Sequence, residues 1–153
     1  MTATTASPRV LVDTNIVVYG YDLDDPIKHQ VAQEILEQLS DEGRLVFTAQ
    51  VFNEFCAVMM RPRRQNPLSP TELAVLLRRL EATGDVLPIT AAATFRALDA
   101  MPRHGFSFWD SLIWAAAAEN RIGFIYTEDF QDGREIEGVR FVNPFKTTPP
   151  AGP

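Results

Sequence analysis

Cysteine is nearly absent from this chain: Cys56 is the single one in 153 residues. One cysteine excludes an intramolecular disulfide and suits a reducing cytoplasm, the expected location. It sits in an apolar helical stretch and reads as a small core residue, not as a nucleophile. Histidine is equally scarce, and neither His29 nor His104 has a spacing that suggests a metal ligand. Long apolar runs are missing too, since none approaches the ~20 residues of a membrane span. Residues 1–8 hold no basic region followed by an apolar stretch, so no secretory signal is expected there. Excess positive charge is lacking: the net charge of −6 argues against non-specific nucleic-acid binding through a broad basic surface. Lysine is rare as well. Of the 14 basic residues only Lys28 and Lys146 are lysines, the rest being arginines. Arginine forks match phosphate geometry, and the cluster Arg61, Arg63, Arg64 fits either a phosphate contact or a solvated loop.

What is present is a chain of one-domain size with 46% apolar residues, enough for a substantial core. The expected organisation is a flexible tail over 1–8, a single domain over 9–145 and a second tail over 146–153. Arg9 to Val12 reads as a strand buried on both faces, the habit of a parallel sheet. A helix follows over about Ile27 to Leu39, then a strand from Arg44 to Phe47 and a helix capped by Thr48 that ends near Met60. Asp24 and Asp25 read as solvated loop residues near the first of these helices. Thr71 starts a helix carrying Leu73, Leu76, Leu77 and Leu80. Asp85 to Ile89 is a strand that Pro88 confines to a sheet edge. Thr90 caps a helix broken near Pro102, and Ser107 caps a strongly apolar one reaching about Asn120. Strands over Gly123 to Thr127 and Val139 to Val142 complete the series. Such alternation predicts an α/β fold, a three-layer α/β/α sandwich around a mostly parallel sheet of about five strands.

Four acidic residues interrupt apolar context: Asp13 after Val10-Leu11-Val12, Glu54 and Asp110 inside apolar helices, and Asp129 just beyond the strand ending near Thr127. Burying a carboxylate without a partner costs several kcal/mol or shifts its pKa, roughly as known for isolated charges. Three of the four have a plain structural alternative, and Glu54, mid-helix on an apolar stripe, has none comparable beyond a buried ion pair. Asp13 can cap a short helix beginning at Thr14 or Asn15. Asp110 can complete a capping box with Ser107. Asp129 can be an ordinary turn residue, and Glu54 can be paired with a buried arginine. In open α/β sheets, ligands bind beyond the carboxyl ends of the strands, where Asp13 and Asp129 lie. Helical periodicity turns Glu54 and Asp110 toward the same sheet.

Val12-Asp13-Thr14-Asn15, Asn53-Glu54-Phe55, Phe108-Trp109-Asp110-Ser111-Leu112-Ile113 and Tyr126-Thr127-Glu128-Asp129-Phe130 occur in that order. This set resembles the PIN-domain ribonucleases, and specifically the VapC-type toxins of bacterial toxin–antitoxin pairs, over about Val10 to Asn143. The resemblance implies a metal-dependent endoribonuclease in which Asp13, Glu54, Asp110 and Asp129 bind Mg2+ or Mn2+. It makes Asn15 and Thr127 polar supports and Asp132 an outer acid or a turn residue, with Glu128 and Asp132 as substitutes for Asp129. It further implies an RNA substrate, a cognate antitoxin protein and a homodimer. Two other classes stand beside it. A phosphoryl-transfer domain, of the haloacid-dehalogenase or response-receiver kind, also places an aspartate after its first strand but needs a lysine at the site. A non-catalytic PIN-like domain would only bind a partner.

Overall fold

The computed structural model describes residues 6–130 and 132–146. Most of the two expected tails therefore lies outside the described residues. The elements are β1 (Val10–Val12), α1 (Thr14–Tyr21), α2 (Pro26–Asp41), β2 (Leu45–Thr48), α3 (Ala49–Met59) and α4 (Pro70–Glu81). They continue with β3 (Asp85–Leu87), α5 (Ala91–His104), α6 (Phe108–Glu119), β4 (Phe124–Tyr126), β5 (Glu135–Ile136) and β6 (Val139–Val142).

The sheet has the order β3-β2-β1-β4-β6-β5, parallel except for the β5–β6 hairpin. Five strands match the expectation, and β3 is the edge strand that Pro88 foretold. Val10, Leu11 and Val12 are fully buried, as the central strand of a two-faced sheet must be. From β1 the chain moves outward through β2 to β3, then returns past β1 to β4. Right-handed crossovers in opposite directions put their helices on opposite faces. Accordingly α1 packs with α2 and α3, while α5 packs with α6, which lies against β4 and β6. The strand order reverses between β1 and β4, and that reversal opens a crevice at their carboxyl ends.

Local chemistry explains the helix boundaries. Thr48, Thr90 and Ser107 each accept a hydrogen bond from a backbone N–H in the first turn of their helices, as expected. Asp25 does the same for α2 through the Lys28 N–H, so it is a cap and not merely a loop residue. The fourth helix begins one residue earlier than expected, because Ser69 and Glu72 form a reciprocal capping box around Pro70. The fifth helix does not break at Pro102. It runs on to His104, and Gly105, at φ 71°, closes the last turn through its N–H to Met101 O. A proline one turn from the end removes one hydrogen bond, which the left-handed glycine cap offsets.

The one strand beyond expectation, β5, owes its existence to Glu137 and Gly138, both with positive φ. Such a turn matches the twist of a two-residue hairpin and sets Ile136 opposite Val139. Trp114 on α6 is fully buried and donates its indole N–H to Ile136 O at 3.0 Å, tying the helix to the hairpin. None of the described helices is long and apolar enough to cross a membrane.

Candidate active site

The crevice between β1 and β4 is where the polar residues gather. The sheet ladder runs right up to them: Asp13 N donates to Tyr126 O and Thr127 N to Val142 O, both at 2.9 Å. Asp13 and Thr127 are thereby neighbours across 114 residues of sequence. Thr127 Oγ1 donates to Asp13 Oδ2 at 2.7 Å, and the Thr14 N–H donates to Asp13 Oδ1, also at 2.7 Å. Asp13 is thus the N-cap of α1 as well as a member of the cluster. The capping alternative is realised in this side chain, which is 8% exposed and also accepts from Thr127.

Asn15, in the first turn of α1, donates from Nδ2 to Thr127 Oγ1 at 3.3 Å and to Asp129 Oδ2 at 3.1 Å. Asp129 N in turn donates to Thr127 Oγ1 at 3.1 Å. Among the described residues, no arginine pairs with Glu54. Its Oε2 accepts from the Thr14 hydroxyl at 3.1 Å and its Oε1 from Gln50 Nε2 at 2.7 Å. Gln50 also donates to Trp109 O at 3.1 Å, joining α3 to the start of α6 and to Asp110. Of the expected capping box at Ser107, the half in which the Asp110 N–H donates to the serine hydroxyl is formed, at 3.3 Å.

The neighbouring acids are occupied elsewhere. Glu128 accepts from Lys28 Nζ at 2.7 Å and from the Tyr19 hydroxyl at 2.6 Å. The ammonium of Lys28 lies over the Tyr19 ring, 4.8 Å from its centroid. Asp132 accepts from the Asn143 N–H at 2.9 Å and has Lys146 at 3.9 Å. Asp132 therefore holds a turn together, and of these three acids only Asp129 joins the Asn15–Thr127 network. Lys28, Tyr19, Thr14 and Gln50 are contributors for which no role was read from the sequence. Gln50 had one usable signal, since it stands four residues before Glu54 and so on the same helical face.

No ion pair among the described residues includes Asp13, Glu54, Asp110 or Asp129. Burial pushes the Asp13 carboxyl up to about 7. The hydrogen bonds from Thr127 and Thr14 oppose the rise, and the charges of Asp129 and Glu54 add to it. Asp110 is raised chiefly by burial, opposed by the Ser107 hydroxyl and reinforced by the same two charges. The four carboxylates thus share one electrostatic neighbourhood, and no basic side chain among the described residues pairs with any of them.

That donor set fits a hard divalent cation: the available ligands are carboxylate, amide and hydroxyl oxygens, with no imidazole or thiolate among them. Among the described residues, no three His, Cys, Asp or Glu side chains form a group already positioned to hold a metal ion. Each hydrogen bond from Thr14, Asn15, Gln50 and Thr127 to Asp13, Glu54 or Asp129 occupies one lone pair, so further lone pairs stay free for a cation.

A family model for the PIN domain matches residues 10–132. Among solved structures, a toxin–antitoxin complex from Klebsiella pneumoniae is similar at 17% identity, over 90% of this chain and 98% of that one, with a TM-score of 0.64. The Mycobacterium tuberculosis toxin VapC20, described as cleaving the sarcin-ricin loop, is 21% identical over 86% of this chain and 98% of its own, with a TM-score of 0.62. DNA-bound VapBC from Salmonella typhimurium is 17% identical over 88% and 96% of the two chains, again with a TM-score of 0.62. At such identities the likeness speaks for the fold. No curated protein matches by sequence. The family model spans most of the chain and both carboxylate-bearing strand ends, and this chain belongs to the PIN-domain family.

Proposed function

We propose that this protein is an endoribonuclease that hydrolyses RNA phosphodiester bonds with Mg2+ or Mn2+, and that it is the toxin of a toxin–antitoxin pair. The observation that carries the reading is that Asp13, Glu54, Asp110 and Asp129 feel one another's charge about the switch point of the sheet, with no basic side chain among the described residues paired to any of them. Metal bound there supplies a nucleophilic water near neutral pH and neutralises charge on the scissile phosphate.

The side chains divide the remaining work. Asp13 is held rigidly by Thr14 and Thr127 and is the anchor ligand. Glu54 is steadied by Thr14 and Gln50, and Asp129 by Asn15, so α1 alone orients three of the four carboxylates. Asp110 stands at the first turn of α6 on the opposite wall. Removing any one of these carboxylates leaves the others mutually repulsive and less able to hold a cation.

The fold likeness to toxin–antitoxin complexes supports an antitoxin partner, and the resemblance to VapC toxins supports a homodimer. A phosphoryl-transfer reading loses its necessary lysine, because Lys28 is committed to Glu128 and Tyr19. The test is cleavage of total cellular RNA by the purified chain with Mg2+ or Mn2+, repeated with excess EDTA and with Asp13→Asn and Asp110→Asn. Discrete products are expected that require metal and fall by at least about 100-fold in either variant. Cleavage by folded Asp13→Asn at the wild-type rate would overturn the assignment. Absence of cleavage in folded, antitoxin-free protein would favour a domain that only binds its partner.

A further inference from the structure

The chain has two tryptophans, and they have opposite environments. Trp114 is fully buried, whereas Trp109 is 60% exposed. A large exposed aromatic in a small acidic domain asks for an explanation, and its position supplies one. Trp109 directly precedes Asp110 in the first turn of α6, where successive side chains fan out by about 100°. Trp109 therefore flanks the acidic crevice while Asp110 belongs to it. The Phe108 ring meets the indole edge to face, with centroids 5.2 Å apart and planes at 66°, which limits its freedom to swing. The backbone beneath is anchored as well. Gln50 is 6% exposed and donates both to Glu54 Oε1 and to Trp109 O. One buried amide thereby ties a carboxylate of the crevice to the backbone that carries the exposed indole.

We propose that Trp109 is a base-stacking platform that holds an unpaired nucleobase of the RNA beside the phosphate to be cut. The inference rests on the ribonuclease reading above. Stacking is the recognition mode open to a domain of net charge −6 that cannot hold RNA by broad charge attraction. An aromatic face accepts any base, but only one that is not already stacked within a duplex. Trp109 thus selects single-stranded or looped positions, and Gln50 acts as a positioning residue that keeps the platform in register with Glu54.

The two-tryptophan composition makes the test direct. Tryptophan emission of the full chain would be followed while a short mixed-sequence oligoribonucleotide is added, either single-stranded or annealed to its complement. Apparent kcat and KM for total cellular RNA in Mg2+ or Mn2+ would be measured for wild type, Trp109→Leu and Trp109→Phe, after thermal unfolding shows each to be folded. The single strand is expected to quench the emission and the duplex to leave it unchanged, with the quenching lost in Trp109→Phe because buried Trp114 remains unaffected. Trp109→Leu is expected to raise KM by about tenfold, in line with the loss of one stacked base, with kcat within about twofold. Trp109→Phe, which keeps an aromatic face, is expected to retain most of the wild-type KM.

Cleavage by wild type together with an unchanged KM in Trp109→Leu and no quenching overturns the platform and leaves the ribonuclease intact. Quenching without cleavage by wild type overturns the ribonuclease and leaves the platform. Emission that changes with protein concentration alone assigns the indole to a contact between copies of the chain and overturns the proposal.

Discussion

Asp13 makes the metal-free protein pay for its site, and the size of that penalty can be read from the structure. Its carboxyl titrates at about 7 in the folded chain against 3.8 when freely solvated, because burial disfavours the anion. The folded state therefore binds the proton more tightly than the unfolded state does. Stability contributed at this position is fully present below about pH 4, declines as pH rises, and is lost above about pH 7. The difference corresponds to roughly 4 kcal/mol, an upper value given the relaxation that buried charges undergo. Asp13→Asn removes the titration. Its amide keeps one acceptor oxygen, so one of the two hydrogen bonds from Thr127 and Thr14 is lost, at a pH-independent cost of about 1 kcal/mol. Urea unfolding in EDTA between about pH 5 and pH 8 is the assay, comparing wild type with Asp13→Asn at each pH. The wild type is expected to lose stability relative to the variant over this range, and saturating Mg2+ at the upper end is expected to restore it. A wild-type-minus-variant difference that stays constant, or grows with pH, refutes the reasoning that an uncompensated buried charge sits at the end of β1.

Two further outcomes follow, one from a contact beside the crevice and one from the opposite, amino-terminal end of the strands. Lys28→Met and Glu128→Gln each remove a half-buried ion pair reinforced by the Tyr19 ring, so each is expected to cost about 1–2 kcal/mol, with a double variant losing much less than the sum. Full additivity in a thermal-unfolding cycle would show that the pair contributes nothing as a unit. Gly84→Ala is expected to destabilise by more than about 2 kcal/mol, since a Cβ there would lie 2.6 Å from Leu45 O and the obstacle is β2 backbone, not a movable side chain. An unchanged urea midpoint would mean that the β2–β3 edge yields freely.

The alternation of apolar strands with capped helices was readable from the chain because caps and periodicity are local. Thr48, Thr90 and Ser107 announce their helices through hydroxyls that reach only three residues ahead. Val10-Leu11-Val12 announces a central strand because no face of it can be wetted. The four acidic candidates stand out for a similarly local reason, as charges in apolar stretches of sequence. What was not legible depends on backbone geometry or on distant neighbours. Pro102 looked like a stop, yet Gly105 in the left-handed region lets the helix finish past it. The β5–β6 hairpin hides behind Glu137, whose positive φ is not a usual signal for its residue type.

The grouping of the site is likewise a tertiary decision. Sequence by itself determined that Asp13 ends a buried strand and that Glu54 and Asp110 lie on inward-turned helices. Only the placement of β4 beside β1 put Thr127 on Asp13, and with it Asn15 on Asp129, while Lys28 and Lys146 drew Glu128 and Asp132 away. Local propensities are set by residues a few positions apart, so one chain carries them openly. Which strand lies next to which is settled by packing across more than a hundred residues, and the electrostatic character of the crevice exists only once that choice is made.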